Sequence, residues 1–581
     1  MIKYPGGSFI GAHIAGMFNM ASGHIPVKLY HLKNAKIVWL NKRVVHKDPA
    51  FARVNYDCDA YEKFILDECA FATFGSAASS TDFKIGVADR YGGEGIGRNG
   101  GSGRAVFLNG YHVKGIGRTP LVSNLTDLNH GSGGAYLEEC VREAIFSEIV
   151  DAEFPFGAIP VIAIIDTGEY QIWNTKDGPK PERKCLLVRP GFVRPAHFER
   201  AVGFITEDPC EGLKDVHRVR QTFISSKCLF GEEVLVTGFK AVWTRWAGQL
   251  AYGLVHRLAH GGNTTSNVSF DGKLLDFGAT TSVPTWARIG VANGAPPIGV
   301  DLPTLMQAVQ TQCYFWGENF SPEFSSTAFV NEIIKNVEAA YYHALCLQVL
   351  RLIGLSDSES KRMLASSDSE RLRPAVNRMI GHFQKEQFSI FYGTPSPRIE
   401  WDIDQIWQDG CPEHLCEIRD LIKDLQGGTV ECIGLLKNRA LARCYSRPSL
   451  YREKIKDTIY ESLESTSYGL FLDRDYVSKF INLNIVENRR DSKIEPEEAY
   501  PLGFALNNDG ALALFFCLRN KEIFSLSEWH TNLAGRERRK ILRIDSARLV
   551  FESSSEEFRG AVKIFDHCSY VCESKENKHL R

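Results

Sequence analysis

An asparagine and an aspartate carry the most specific chemical signal in this sequence. They close the two ends of the stretch NVSFDGKLLD at residues 267–276. Asp271-Gly272 between short apolar runs signals a two-residue hairpin, because both central positions of a type I′ turn need positive φ. Such a turn sets Phe270 opposite Lys273 and, counting outward, Asn267 opposite Asp276. Directly opposed residues lie about 5 Å apart at Cβ. At that spacing an amide oxygen and a carboxylate can share one hard divalent cation, and Mg²⁺ held in this way keeps open positions for phosphate oxygens.

A second constellation lies upstream. Residues 91–104 read YGGEGIGRNGGSGR and contain GxGxxG at 95–100. A dinucleotide fold needs a helix immediately afterwards. Here Ala105–Leu108, Asn109-Gly110 and Tyr111–Lys114 spell another hairpin instead, which excludes that fold. Its register places Lys114 opposite Ala105, the first residue after the glycines, so the lysine stands beside backbone N–H groups able to cradle phosphates. Next comes a helical pattern with Leu137, Val141, Ile145 and Ile149 at intervals of four, and Glu143 and Glu148 are candidates to pair the lysine. A buried-strand run at Cys185–Val188 leads into Arg189 and Arg194, a residue type suited to bidentate phosphate contacts.

The elements that position these residues change character along the chain. Strand-like runs and loops occupy the first part, helical periodicity runs from about 211 to Leu254, and it resumes from Thr327 to Leu355 and in pieces to about 485. A charged, proline-containing break at Asp491–Pro501 precedes a last segment with a strand-like run at 511–516 and a charged end, Glu573–Arg581, expected to be disordered. Lys+Arg is 68 and Asp+Glu is 70 over 581 residues, so no global field attracts nucleic acid. No apolar run reaches the roughly 18 residues a membrane span requires. Fifteen cysteines without CxxC pairs point to reduced thiols and a cytoplasmic setting. The lysine-rich first 47 residues indicate a basic surface.

The order of glycine loop, hairpin lysine, helix glutamate, two arginines, helical segment, Asn267 and Asp276-Phe277-Gly278 is that of protein kinases. In detail the motifs resemble the selenoprotein O family: GSGRAVFLNGYHVKGIGRTP at 101–120, VREAIFSE at 141–148, LLVRPGFVRPAHFE at 186–199 and AHGGNTTSNVSFDGKLLDFG at 259–278. The resemblance covers about residues 90–280. It implies an α+β, bilobal protein-kinase-like fold. The small β-rich N-lobe would span 1–200, the larger helical C-lobe 201–490 and a small mixed C-terminal extension 491–581. It implies AMP transfer from ATP, inverted relative to its pose in kinases, to a protein or peptide acceptor, with Mg²⁺ or Mn²⁺.

Residue by residue, the resemblance makes Gly101, Gly103 and Arg104 the nucleotide loop, Lys114 the phosphate lysine and Glu143 its ion-pair partner. Ser132 and Gly133 match a second stretch that contacts ATP. Arg189 and Arg194 match the arginines that hold the inverted phosphates, two residues closer together here, and Asn267 and Asp276 match the metal ligands. The family carries Asp where Ser102, Ser132 and Ser266 stand, and Arg where Gly134 stands. The Asp at position 266 is the expected proton acceptor, and the kinase base would fall at Gly262. A serine hydroxyl without an activating partner does not replace a carboxylate near neutral pH. Three readings stay open: AMP transfer to a hydroxyl; activation of a peptide carboxylate as an acyl-adenylate, as in peptide natural-product maturation; and an ATP-binding pseudoenzyme scaffold working through a partner protein. A carboxylate is already ionised at pH 7, with a pKa of about 4, and needs no base. Phosphoryl transfer is the outcome if ATP takes the kinase orientation.

Overall fold

The computed structural model describes residues 24–489, apart from 75–81, 127–130, 177, 207–209, 292–295, 367–369, 390–400, parts of 426–446, and 465–471, together with the strands of the segment 499–564. Residues 1–23, which open the basic N-terminal stretch, and Glu573–Arg581 lie outside the described residues.

Nine strands form one antiparallel sheet: β1 (Ile25–His31), β2 (Lys36–Leu40), β3 (Phe71–Ala72), β4 (Phe83–Ala88), β5 (Ala105–Leu108), β6 (Tyr111–Lys114), β7 (Ala135–Tyr136), β8 (Ala163–Thr175) and β9 (Gly178–Pro190). Their order is β2-β8-β9-β6-β5-β4-β1-β3, with β7 on β9. The β5–β6 turn is the one its sequence demands. Asn109 has φ 51° and Gly110 φ 89°, the pair of positive values of a type I′ turn. Leu108 therefore pairs with Tyr111, and Ala105 with Lys114, the register read from sequence. One face of the sheet packs on helix α1 (Cys58–Cys69) through Leu29, Tyr61, Ile65, Val106, Val113 and Leu186.

Helix α2 (Leu137–Glu153) follows β7 and joins the two lobes. Its apolar repeat predicts one buried stripe, but the helix is buried nearly all round, Glu143, Glu148 and Glu153 included. The second face is inside because the helical lobe closes over it. Glu153 meets Arg447 of that lobe at 2.8 Å, with both side chains fully buried, and Arg447 also donates to the Asn488 carbonyl.

The helical run expected over 211–254 is two helices, α3 (Cys210–Phe230) and α4 (Glu232–Val255). Gly231, at φ 80°, separates them, a backbone conformation that ends one helix and starts another. Helices α5 (Asp301–Asn319) and α6 (Thr327–Leu352) pack against α4. Their core is aromatic: Trp316 is fully buried, with ring contacts to Phe239 at 4.2 Å, Phe223 at 5.0 Å and Phe198 at 5.3 Å. This β-rich lobe followed by a helical lobe is the bilobal kinase-like arrangement. Beyond it, strands Ala499–Asn507, Gly510–Cys517, Glu522–Ser527, Arg538–Asp545, Arg548–Phe551 and Val562–Ile564 form a separate antiparallel sheet. The run expected as a strand at 511–516 lies in its second strand. Among the described residues no helix is long and apolar enough to cross a membrane.

Breaking a fully buried ion pair by removing one partner costs about 3–5 kcal/mol, because the other charge stays buried. Glu153→Ala is therefore expected to lower the unfolding free energy by that amount. Equilibrium denaturation, followed by fluorescence, measures it.

Candidate active site

A cleft of about 880 Å³ lies between the lobes. Gly101, Gly103, Arg104, Lys114, Arg189, Arg194, Ser266, Asn267 and Asp276 all line it. Residues far apart in sequence are thereby brought to one space.

Lys114 does not form the ion pair expected from sequence. Its Nζ lies 2.7 Å from Glu139 Oε1 and 3.4 Å from Asp276 Oδ1. Glu139 simultaneously holds Arg104 in a two-pronged pair at 2.7 and 2.8 Å. Glu143 pairs with Arg189 instead, and its second oxygen accepts the Phe277 N–H at 3.1 Å. Glu148, the other candidate, accepts from Asn41 at 2.5 Å and pairs with Arg43 at 3.1 Å. The reason is geometric. Lys114 faces the first turn of α2, where Glu139 stands, and Glu143 lies one turn further along the same face, beneath β9. The i, i+4 spacing of Glu139 and Glu143 was the sequence signal for a shared face.

Electrostatics follow from these pairs. Burial opposes the charged form of Lys114, but Asp276 and Glu139 outweigh it and hold the amine above its ordinary value. Burial pushes Glu139 up, yet Arg104 and Lys114 bring it down to about 2. Burial likewise opposes ionisation of Asp276, and Lys114, Arg189, Arg104 and Arg194 overcome it and hold its carboxyl well below the usual carboxylate range.

The hairpin carrying Asn267 and Asp276 differs from expectation by one residue. Val268 bridges Leu274, and Ser269 N–H donates to Lys273 O, so Asn267 stands opposite Leu275. The turn is one residue longer because Asp271 keeps negative φ, whereas a type I′ turn would need it positive. Asp276 nonetheless reaches the cleft, because its own backbone is left-handed at φ 61°. Helix α2 fixes the residues after it: Arg142 donates to Gly278 O at 2.5 Å, beside the Glu143–Phe277 bond. Asn267 Nδ2 donates to Gly262 O at 2.8 Å, which leaves the amide oxygen for a cation. Among the described residues no cluster of three or more His, Cys, Asp and Glu could hold a metal. An asparagine oxygen and one carboxylate suit a Mg²⁺ that arrives with phosphate and water as its other ligands.

The glycine stretch closes one side. Gly101 has φ 146°, and a Cβ there would run into the Asp89 carbonyl. Gly95 lies directly over Ser266, with its missing Cβ only 2.5 Å from Ser266 Oγ. That hydroxyl bonds Thr264 Oγ1 at 2.7 Å, and the Ser266 carbonyl accepts Arg194 Nη1 at 2.6 Å. Ser132 and Gly133 do not line the cleft. Ser132 bonds the Tyr136 hydroxyl at 2.8 Å, and Gly134 O accepts from Arg104, so this loop backs the residues that face the cleft.

Sequence reasoning missed a buried knot at the inner end. Asp89 accepts from Arg194 Nη2 at 2.8 Å, His197 Nε2 at 2.7 Å and His112 Nε2 at 3.3 Å. Arg194 also lies over the rings of Tyr91 and Phe192. Burial opposes the Asp89 charge, and Arg194 with His197 holds its carboxyl well below the ordinary value. His260, also missed, donates from Nε2 to Leu275 O at 2.9 Å and anchors the returning arm of the hairpin. The alternation of β6, with His112 and Lys114 two residues apart, was the available signal for the first of these.

A β-rich lobe, a helical lobe and a cleft of arginines and a lysine facing Asn267 and Asp276 define a bilobal, kinase-like protein with a cationic cleft between its lobes. Residues 83–294 match the model of the family described as Protein adenylyltransferase SelO, so the chain resembles that family over the stretch that holds most of the cleft. Over 176 residues the chain is 27% identical to Protein nucleotidyltransferase YdiU of Marinomonas sp. (strain MWYL1), covering 30% of this chain and 34% of the relative. The chain thus spans about a third of the length of that relative.

Glu139 has an ordinary value of 4.5 and is held near 2 in the folded protein. A lowered carboxylate contributes stability that is present above its unfolded pKa and is lost as pH falls toward the folded one. Glu139→Gln is therefore expected to be less stable than wild type at neutral pH. The difference should close as pH falls from about 4.5 toward about 2. Denaturant unfolding at a series of pH values checks this.

Proposed function

We propose that this chain is an ATP- and Mg²⁺-dependent nucleotidyltransferase that moves AMP to a protein or peptide acceptor. One observation carries the reading: four cationic side chains, Arg104, Lys114, Arg189 and Arg194, line one cleft opposite Asn267 and Asp276. The Nε atoms of Arg189 and Arg194 are buried without a partner among the described residues. Buried donors left unpaired are costly, and phosphate oxygens would satisfy them. The similarity to a protein adenylyltransferase family supports AMP rather than phosphoryl transfer. A bound Mg²⁺ would supply charge neutralisation on the phosphates, with Asn267 and Asp276 as its protein ligands.

In the transfer, an acceptor oxygen attacks the α-phosphorus, the new O–P bond forms, and the bond to the leaving pyrophosphate breaks. Lys114, Arg104, Arg189 and Arg194 orient the triphosphate and oppose the charge that builds on it. Glu139 fixes Arg104 and Lys114, Glu143 fixes Arg189, and Asp89 fixes Arg194. Among the described residues no two cysteines form a disulfide, in keeping with a reducing, cytoplasmic setting.

A second reading concerns the acceptor. Ser266 Oγ bonds the hydroxyl of Thr264, so no carboxylate activates it, and Gly262 offers none. That favours an acceptor which is already ionised, a peptide carboxylate converted to an acyl-adenylate with pyrophosphate released.

Incubation with α- and γ-labelled ATP tests the main reading. Label from the α position in product is expected; label from γ alone would make the protein a kinase, and none from either would make it a scaffold. Asp276→Ala is expected to remove turnover and metal-dependent ATP binding while leaving the fold intact by circular dichroism.

Ser266→Asp separates the two acceptors. With a hydroxyl acceptor the new carboxylate acts as a base, and pyrophosphate release should rise by as much as about 10²–10⁴-fold. With a carboxylate acceptor the added negative charge beside an anionic nucleophile should slow it.

A further inference from the structure

The Asp89 knot contains a group that has no task in the AMP transfer. His112 lies on β6 two residues before Lys114, opposite Arg189 of β9 in the strand register. It lines the cleft and is 1% exposed. Its Nε2 faces Asp89 Oδ2 at 3.3 Å. A carboxylate only accepts, so Nε2 carries the hydrogen, and in the neutral ring Nδ1 is a bare acceptor. That Nδ1 is buried and has no partner among the described residues.

Three such buried atoms, unpartnered among the described residues, belong to residues that line this one cleft: His112 Nδ1, Arg189 Nε and Arg194 Nε. The two arginine atoms are donors. A single ligand that satisfies both offers oxygens with negative charge, and a bare nitrogen lone pair would repel such a ligand. The conflict disappears if the ring binds a proton, because both nitrogens of imidazolium donate. Asp89 stands behind the ring to balance the charge, as a carboxylate behind an imidazole does in proton-transfer sites.

We propose that His112 is a third ligand of the phosphate group held by Arg189 and Arg194, and that it takes up a proton from solvent when that group binds. The proposal rests on the reading of the cleft as a nucleotide site. In the free protein the ring is neutral near pH 7: burial lowers it, Asp89 raises it, Arg194 and Arg189 lower it, and the balance is about 4. The charged and titratable groups around it are Lys114 on its own strand, Asp89 at the end of β4, Arg189 on β9, and Arg194 and His197 in the segment after β9. Incoming phosphate adds negative charge on the side opposite Asp89 and favours the protonated ring.

Calorimetric titration of the full chain with Mg²⁺ and α,β-methylene-ATP, in buffers of different ionisation enthalpy near neutral pH, tests this. The expected result is uptake of about one proton on binding, with Kd rising by up to about tenfold per pH unit above neutrality. In His112→Gln and His112→Asn, uptake and pH dependence are both expected to vanish, while binding persists through the arginines. Binding without proton uptake in wild type would overturn the proposal and leave the nucleotide reading standing. Equal uptake in the folded variants would also overturn it, by assigning the proton to another group. No binding by wild type would overturn both.

Discussion

The structure depends on how helix α2 brings charge into the interior. Glu139, Glu143, Glu148 and Glu153 all point inward from it, and each is met: by Arg104 with Lys114, by Arg189, by Asn41 with Arg43, and by Arg447. Buried charges are tolerated only when paired and hydrogen-bonded. The cations come from the glycine loop, β6, β9, the region after β2 and the helical lobe, so the pairing fixes five separate parts of the chain to one helix. Arg104, Lys114 and Arg189, three of those cations, line the cleft.

Two of these pairs also shape the cleft. Glu139 draws the end of the glycine loop and the β6 lysine together, and Glu143 holds Arg189 while anchoring the backbone after Asp276. The cleft-lining cations and the hairpin carrying Asn267 and Asp276 are therefore referred to the same rigid element. On the other side, Asp89 gathers Arg194, His197 and His112 into one buried anion-centred knot. Arg194 links that knot to the Ser266 carbonyl, so the loop carrying Ser266 is held from within the N-terminal lobe. The Ser266 side chain takes no part in this frame, which holds the loop through the Ser266 carbonyl instead.

The sequence by itself determined what local backbone chemistry enforces. Asn109-Gly110 can adopt two positive φ values, so the β5–β6 register and the position of Lys114 followed from two residues. The motifs over 90–280 also sufficed to name the family resemblance and the bilobal class. Asp271-Gly272 has almost the same local chemistry, yet its turn is one residue longer. There Phe270 is buried among Phe198 and Trp316 and its N–H donates to Val193 O, so packing overrode the turn preference. Tertiary structure alone decided which carboxylate meets which cation. An i, i+4 repeat shows that Glu139 and Glu143 share a face, but only the approach of β6 and β9 assigns Lys114 to one and Arg189 to the other. The Asp89 knot was invisible for the same reason: its members lie on different elements, and a buried ion pair is defined by distances that sequence spacing does not contain.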